Sequence, residues 1–247
     1  MKQFSKTQIA LTILVSLILI VPGFLTYAYF SQDVTLLNQE YPHNISQDPL
    51  VSKFEIKNSR PKDWVRLPDI SSSLKWAIIL SEDWSFYEHQ GVDFNQLQIA
   101  INEGLERGAS TITQQMVKNV YLSQSRSYLR KVHEMILTYQ VEKYLHKQRI
   151  LEIYLNCIEF GPGVYGIKKA SNYYFKKHPS SLTPRESAFI AMLLPSPKKY
   201  SVSFRKRSLT RFAQARVKAI LRKMRMAKVI SASQYEYELS QKFSWEY

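Results

Sequence analysis

Three clusters of side chains in this sequence have the types and spacing to do chemistry. The first, Glu82-Asp83-Trp84-Ser85-Phe86-Tyr87-Glu88-His89-Gln90-Gly91, follows the apolar run Leu74–Leu80. If the helix of that run continues, Glu82, Phe86 and His89 share one face at i, i+4 and i+7. A carboxylate delivered from the end of an apolar helix beside aromatics has a raised pKa and suits proton transfer. A plainer account also fits: Glu82 and Asp83 mark where a buried helix reaches solvent, and His89 is a satisfied structural histidine.

The second cluster is Gly108-Ala109-Ser110-Thr111-Ile112-Thr113-Gln114-Gln115-Met116-Val117-Lys118-Asn119. Gln114 and Lys118 are four apart, so a helix presents an amide and an ammonium together, with Gln115 and Asn119 on the adjoining row. Preceded by the hydroxyls of Ser110 and Thr111 at a helix N-terminus, this pattern could hold phosphate or sugar hydroxyls. The alternative is a solvated polar face with ordinary capping at Ser110. The third cluster, Arg130-Lys131-Val132-His133-Glu134, offers a second carboxylate beside cations. It serves the same site only if it faces the cleft of Glu82; otherwise Arg130 and Glu134 form a surface ion pair. Spacing does not decide whether the two carboxylates converge.

The elements that must position these groups are mostly helices. Ser71–Ser73 can cap a helix over Leu74–Leu80. Asn95–Glu106 carries Leu97, Ala100, Ile101 and Leu105 at helical spacing, with Gly108 as a stop. A helix over Thr111–Leu122 aligns Ile112, Met116 and Val120, and two more are predicted over Arg130–His146 and Lys147–Asn156. Gly161, Gly163 and Gly166 fall in one loop. Ser181–Pro195 is a well-signalled helix, with Thr183 at the cap, Pro184 first, Glu186 closing a capping box and Pro195 at the exit. Strand signals are few and short.

Composition bounds the rest. The chain has 247 residues, 45% of them hydrophobic, which excludes a disordered or collagen-like protein and allows one domain with appendages. The lone cysteine, Cys157, excludes an intramolecular disulfide and any Cys-cluster metal site. Thirty-four Lys+Arg against 20 Asp+Glu give a net charge of +14, which points to an anionic partner: nucleic acid, lipid or a phosphate-bearing substrate.

The N-terminus narrows that choice. Lys2 and Lys6 precede a charge-free stretch from Thr7 to Gln32, about 39 Å as a helix against the ~30 Å hydrocarbon core. The apolar run is too long for a signal peptide and no A-x-A-like site follows, so an uncleaved anchor is predicted over 9–30. The flanking lysines put residues 1–8 in the cytoplasm and the rest outside, where there is no nucleic acid to bind. Residues 31–66, with Pro42, Pro49 and Pro61, are predicted to be a spacer, and 67–247 the folded domain. Lys198 to Lys228 holds twelve Lys+Arg and no acid. This run is read as a helix with Val217, Ile220, Leu221 and Met224 turned to the core. Its cations would hold the domain against anionic headgroups, at about 1 kcal/mol each near the surface. They form a set apart from Lys118, Arg130 and Lys131.

The three clusters, in this order, resemble the biosynthetic peptidoglycan glycosyltransferases. These form the polymerase domain of bifunctional penicillin-binding proteins and also exist as monofunctional, membrane-anchored enzymes. The likeness continues through Arg149–Asn156, Phe160–Gly166 and Leu182–Ala188 to the Pro195/Pro197 exit, spanning about Leu67 to Arg225. The single helix at the front and the Tyr200–Ser203 segment are similar to the monofunctional branch. The resemblance implies a mainly α, lysozyme-like domain with a jaw-like subdomain toward the membrane.

The activity it implies is polymerisation of lipid II into glycan strands, with undecaprenyl diphosphate as leaving group and a β-1,4 link formed by inversion. Glu82 matches the general base, and Glu134 the carboxylate near the donor's diphosphate. Asp83, Phe86, His89, Ser110, Thr111, Gln114, Gln115, Lys118, Asn119, Arg130 and Lys131 match the substrate-binding set. No cofactor is certain, and a divalent cation, Mg2+ or Mn2+, is compatible. The implied partners are lipid II, the growing strand, the bacterial cytoplasmic membrane and other cell-wall synthesis or division proteins. Two departures stand out: Ser85 replaces a larger polar side chain, weakening a donor-side contact, and the stretch from Gly91 to Gly108 is short. A glycan-cleaving lytic transglycosylase would need no diphosphate site, so the second and third clusters argue against it. Ser72-x-x-Lys75 and Ser196-x-x-Lys199 lack the companion motifs of a transpeptidase. A non-catalytic scaffold would not require Glu82 and Glu134.

Overall fold

The apolar run at 74–80 lies within the helix α2 (Ser72–Glu82), capped by Ser71, whose hydroxyl accepts from the Leu74 amide. In this computed structural model the described residues are 20–46, 48, 53–103, 108, 110–122 and 127–246. Further helices are α1 (20–30), α3 (Phe94–Asn102), α4 (Ile112–Tyr121), α5 (Tyr128–Tyr144), α6 (Lys147–Cys157), α7 (Ile167–Phe175), α8 (Pro184–Leu193), α9 (Pro197–Tyr200), α10 (Val202–Arg205), α11 (Arg211–Met226) and α12 (Ala232–Ser240). Two short antiparallel pairs complete it, β1 (Tyr41–Asn44) with β2 (Phe54–Lys57) and β3 (Glu159–Gly161) with β4 (Val164–Tyr165). The mainly α expectation holds.

The core is built around α2, α8 and α11, which pack on one another, while α4 packs against α5 and α6. The whole run from Ser187 to Leu193 of α8 is buried, so this helix is apolar on every side, as a central helix must be. Its start follows the sequence: the Thr183 side chain and Glu186 close a capping box, with Pro184 in the first turn. The apolar stripe of α11 is also as predicted, with Val217, Ile220, Leu221 and Met224 all buried. Burying one such side chain contributes roughly 1.5–3 kcal/mol. Cys157 is a buried core residue whose thiol burial pushes up, away from reactivity.

The predicted spacer is not a spacer. Val34, Leu37 and Val65 are in the core, and the chain around them is fastened to α6. Arg149 donates to the carbonyls of Leu37 (2.8 Å) and Glu40 (2.7 Å) and lies over the rings of Tyr41 and Trp64. Glu152 accepts from the Trp64 indole (2.9 Å) and the Leu67 amide (2.8 Å), while Asn156 pairs with both backbone groups of Val65. Prolines and polar residues in 31–66 hid this because its partners lie some 90–110 residues later in the chain. Half of the predicted anchor, 9–19, lies outside the described residues. The other half is α1, with Ile20, Tyr27 and Phe30 exposed. Among the described residues no helix is long and apolar enough to cross a membrane.

Candidate active site

The helix α2 ends because Asp83, with φ −159°, turns the chain away, leaving Glu82 as its last residue. Asp83 itself is buried and works as a joint. Its carboxylate accepts from His89 Nε2 (2.8 Å) and from the Ile112 amide (2.9 Å) at the start of α4. A carboxylate at a helix N-terminus satisfies an orphan donor and meets the positive end of the dipole. The Gly91 amide donates to His89 Nδ1 (3.1 Å), which places the ring proton on Nε2, toward Asp83. Gly91 has φ +92°, and a Cβ there would lie 2.7 Å from the Thr138 methyl, so glycine is required for the close approach to α5.

The first cluster therefore divides. Phe86 is fully buried, with Lys147 Nζ 4.5 Å from its ring centre, and His89 is tied to Asp83. Neither lines the two cavities that Glu82 lines. Ser85 is also buried and donates to Asp93, the cap of α3, so it makes no donor-side contact.

The second cluster divides in the same way. Thr111, not Ser110, caps α4, and its hydroxyl donates to the Gly91 carbonyl (2.5 Å). Gln114 completes the capping box through its side-chain oxygen, which accepts from the Thr111 amide (3.0 Å). It is buried, its side chain reaching back to the cap as position N3 of a helix does. Asn119 donates to the Gln115 carbonyl (2.7 Å). Gln115 is the residue that turns to Glu82: its amide nitrogen donates to Glu82 Oε2 (3.1 Å), and Tyr154 donates to its oxygen (3.0 Å), fixing the amide's orientation.

Glu82, Ser110, Gln115 and Lys118 line one cavity of about 500 Å³, joined by Arg216 and Lys223 of α11. A smaller neighbouring cavity shares Glu82 and Ser110 and adds Asp83 and Thr111. Burial raises the Glu82 carboxyl above its ordinary value, opposed by the Gln115 hydrogen bond and by the charges of Arg216 and Lys223. Arg216 and Lys223 were assigned from sequence to the membrane-facing basic run. Their seven-residue spacing, two turns on one face, was the available signal, but nothing local linked that face to Glu82.

The third cluster forms a separate clamp on α5. Glu134 is buried and accepts from Arg130 Nη1 (2.7 Å) and from Lys131 Nζ. Arg130 Nε is buried with no hydrogen-bond partner among the described residues. Neither cavity that Glu82 lines includes Arg130, Lys131 or Glu134. The helix α4, which carries Gln115 and Lys118, packs directly on α5. Among the described residues no three His, Cys, Asp or Glu side chains come together as a metal site. The arrangement can accept a proton at Glu82 and hold negative charge on cations beside it.

Comparison with known proteins bears on these residues together. A family model described as Transglycosylase matches residues 48–225, a span that contains every residue of both groups. A biosynthetic peptidoglycan transglycosylase from Bordetella avium (strain 197N) is 39% identical over 206 residues, covering 76% of this chain and 84% of that protein. One from Brucella suis biovar 1 (strain 1330) is 40% identical over 200 residues, covering 78% and 84%. The solved structure of Penicillin-Binding Protein 1A from Haemophilus influenzae aligns over 84% of this chain and 22% of that one, with 21% identity and a TM-score of 0.40. That likeness is too loose to carry the fold.

Proposed function

Because this chain belongs to the biosynthetic peptidoglycan transglycosylase family, we propose that it polymerises lipid II into glycan strands at the outer face of the bacterial cytoplasmic membrane. The growing chain on undecaprenyl diphosphate is the donor, and the GlcNAc 4-hydroxyl of lipid II is the acceptor. The observation that carries this reading is the Glu82 carboxyl, raised above its ordinary value in a cavity whose other charged side chains, Lys118, Arg216 and Lys223, are all cations.

In this reading Glu82 takes the proton of the acceptor hydroxyl. A raised pKa makes it the stronger base, provided it is ionised at the working pH. The acceptor oxygen attacks the donor's anomeric carbon as the bond to the diphosphate breaks, giving the β-1,4 link with inversion and free undecaprenyl diphosphate. Charge on the departing diphosphate is met by cationic side chains. Lys118 serves this from the Glu82 side. Arg130 and Lys131 serve it from α5, where Glu134 holds them in place. Gln115 orients Glu82, and Ser110 offers a hydroxyl at the cavity wall. Residues 9–30 serve as a single-pass anchor with the domain outside, in keeping with the exposed apolar side chains of α1.

The test is to incubate the purified full-length protein with labelled lipid II and resolve the products on a gel. A ladder of glycan is expected. Lipid II left unchanged across detergents and divalent ions would overturn the assignment.

A further inference from the structure

The helix α11 has a second basic flank, turned away from Glu82. Arg211 and Lys218, two turns apart on that flank, line an open cavity of about 450 Å³ together with Arg185 of α8. Its floor is apolar, with Leu209, Val217 and Leu239 from three neighbouring segments, and no acid lines it. Two of the three cations stand where helices disfavour them: Arg185 in the first turn of α8 and Arg211 as the first residue of α11. The Arg185 amide at the start of α8 is already taken by the Glu238 carboxylate (3.0 Å), so what the cavity offers an anion is its side-chain cations. Arg185 has its own counter-charges, donating to the Glu238 carbonyl (3.1 Å) and lying 4.0 Å from Glu246, with its guanidinium over the Phe243 ring. Its buried Nε has no hydrogen-bond partner among the described residues. Arg211 and Lys218 have neither a hydrogen bond nor an ion pair among the described residues.

We propose that this cavity between α8, α11 and α12 is a second anion site, taking the phosphate head of an amphiphile whose apolar stem lies on Leu209, Val217 and Leu239. Two uncompensated cations match a doubly charged phosphate monoester, and the guanidinium of Arg211 offers the paired donors such a group accepts. The apolar floor distinguishes the ligand from a bare ion. The site stands apart from the Glu82 cavity and does not depend on the polymerisation reading.

The full-length protein is titrated by calorimetry with dihexanoyl phosphatidate below its micelle concentration, with dihexanoyl phosphatidylcholine and with inorganic phosphate. The phosphatidate is expected to bind best, and Arg211→Ala/Lys218→Ala to weaken it by about tenfold or more. A control pair, Lys206→Ala/Arg222→Ala, removes the same charge from exposed positions outside the cavity and should leave binding unchanged. A vesicle arm, phosphatidate-containing against pure phosphatidylcholine, should show the same loss in the cavity variant if the headgroup is taken from a bilayer. Equal weakening in both pairs, inorganic phosphate binding as tightly as the phosphatidate, or no saturable binding would each overturn the proposal. All four substituted side chains are exposed, so folding is not at stake.

Discussion

At the end of α2, Glu82 accepts from the Gln115 amide and shares its cavity with cations. On α5, Glu134 is gripped directly by Arg130 and Lys131 and buried with them. The two side chains are chemically identical, and their surroundings give them opposite properties. Desolvation, the leading influence on Glu82, raises its pKa and suits it to accept a proton. A two-cation clamp makes Glu134 an organiser of positive charge. The difference shows that a pair of carboxylates divides its work by what touches each oxygen, not by residue type.

The largest effect that would sharpen this contrast is on rate. Glu82→Gln should lower lipid II polymerisation by about 10²–10⁴-fold, the span of a lost general base. It should do so without loss of fold. A carboxyl raised by burial binds its proton more tightly in the folded than in the unfolded chain, so its contribution to stability falls as pH rises through the folded pKa. Glu82→Gln removes that penalty, and its melting temperature at neutral pH should equal or exceed wild type, the gap closing in acid. A clear fall in melting temperature would break the contrast.

Glu134→Gln should behave the other way. It leaves Arg130 and Lys131 without their counter-charge, and a destabilisation of about 1–3 kcal/mol is expected from chemical denaturation. Lys131 is well exposed, which keeps the figure at the low end of values for broken buried pairs. Unchanged stability would mean that the clamp holds nothing. A smaller loss, about 1–2 kcal/mol, is expected for Asp83→Asn, which weakens the joint between His89 and the start of α4. If Asp83→Asn also lowers the rate, recovery should not follow from added substrate, because the joint positions α4.

Much of the fold could be read from the chain. The capping box at Thr183 and Glu186, and the stripe through Val217, Ile220, Leu221 and Met224, are local patterns that tertiary packing reinforced. What escaped were features set by distant partners. Around Leu37, Glu40 and Trp64–Leu67 the chain is fastened by Arg149, Glu152 and Asn156, which no local window contains. The helix α7 has no capping side chain to mark it, whereas α12 carried a usable signal, Ser231 capping the Gln234 amide. Of the residues singled out, Glu82, Gln115 and Lys118 line the cavity, while Phe86 is buried, His89 is bonded to Asp83 and Gln114 closes the cap of α4. Helical spacing tells which residues share a face; it does not tell whether that face meets a cavity or a neighbour. Arg216 and Lys223 illustrate the converse, since the same basic run supplies both solvent-facing cations and two that meet Glu82.

The smallest expected effect tests the central claim most directly. Polymerisation rate measured against pH, in wild type and in Gln115→Ala, reports the protonation of Glu82. Wild type should gain activity as pH rises, with a midpoint above the ordinary glutamate range. Because Gln115 donates to the carboxylate and favours its ionised form, Gln115→Ala should move that midpoint higher still. An acid limb at the ordinary glutamate position, or one that Gln115→Ala leaves in place, would contradict the assignment of Glu82 as the base.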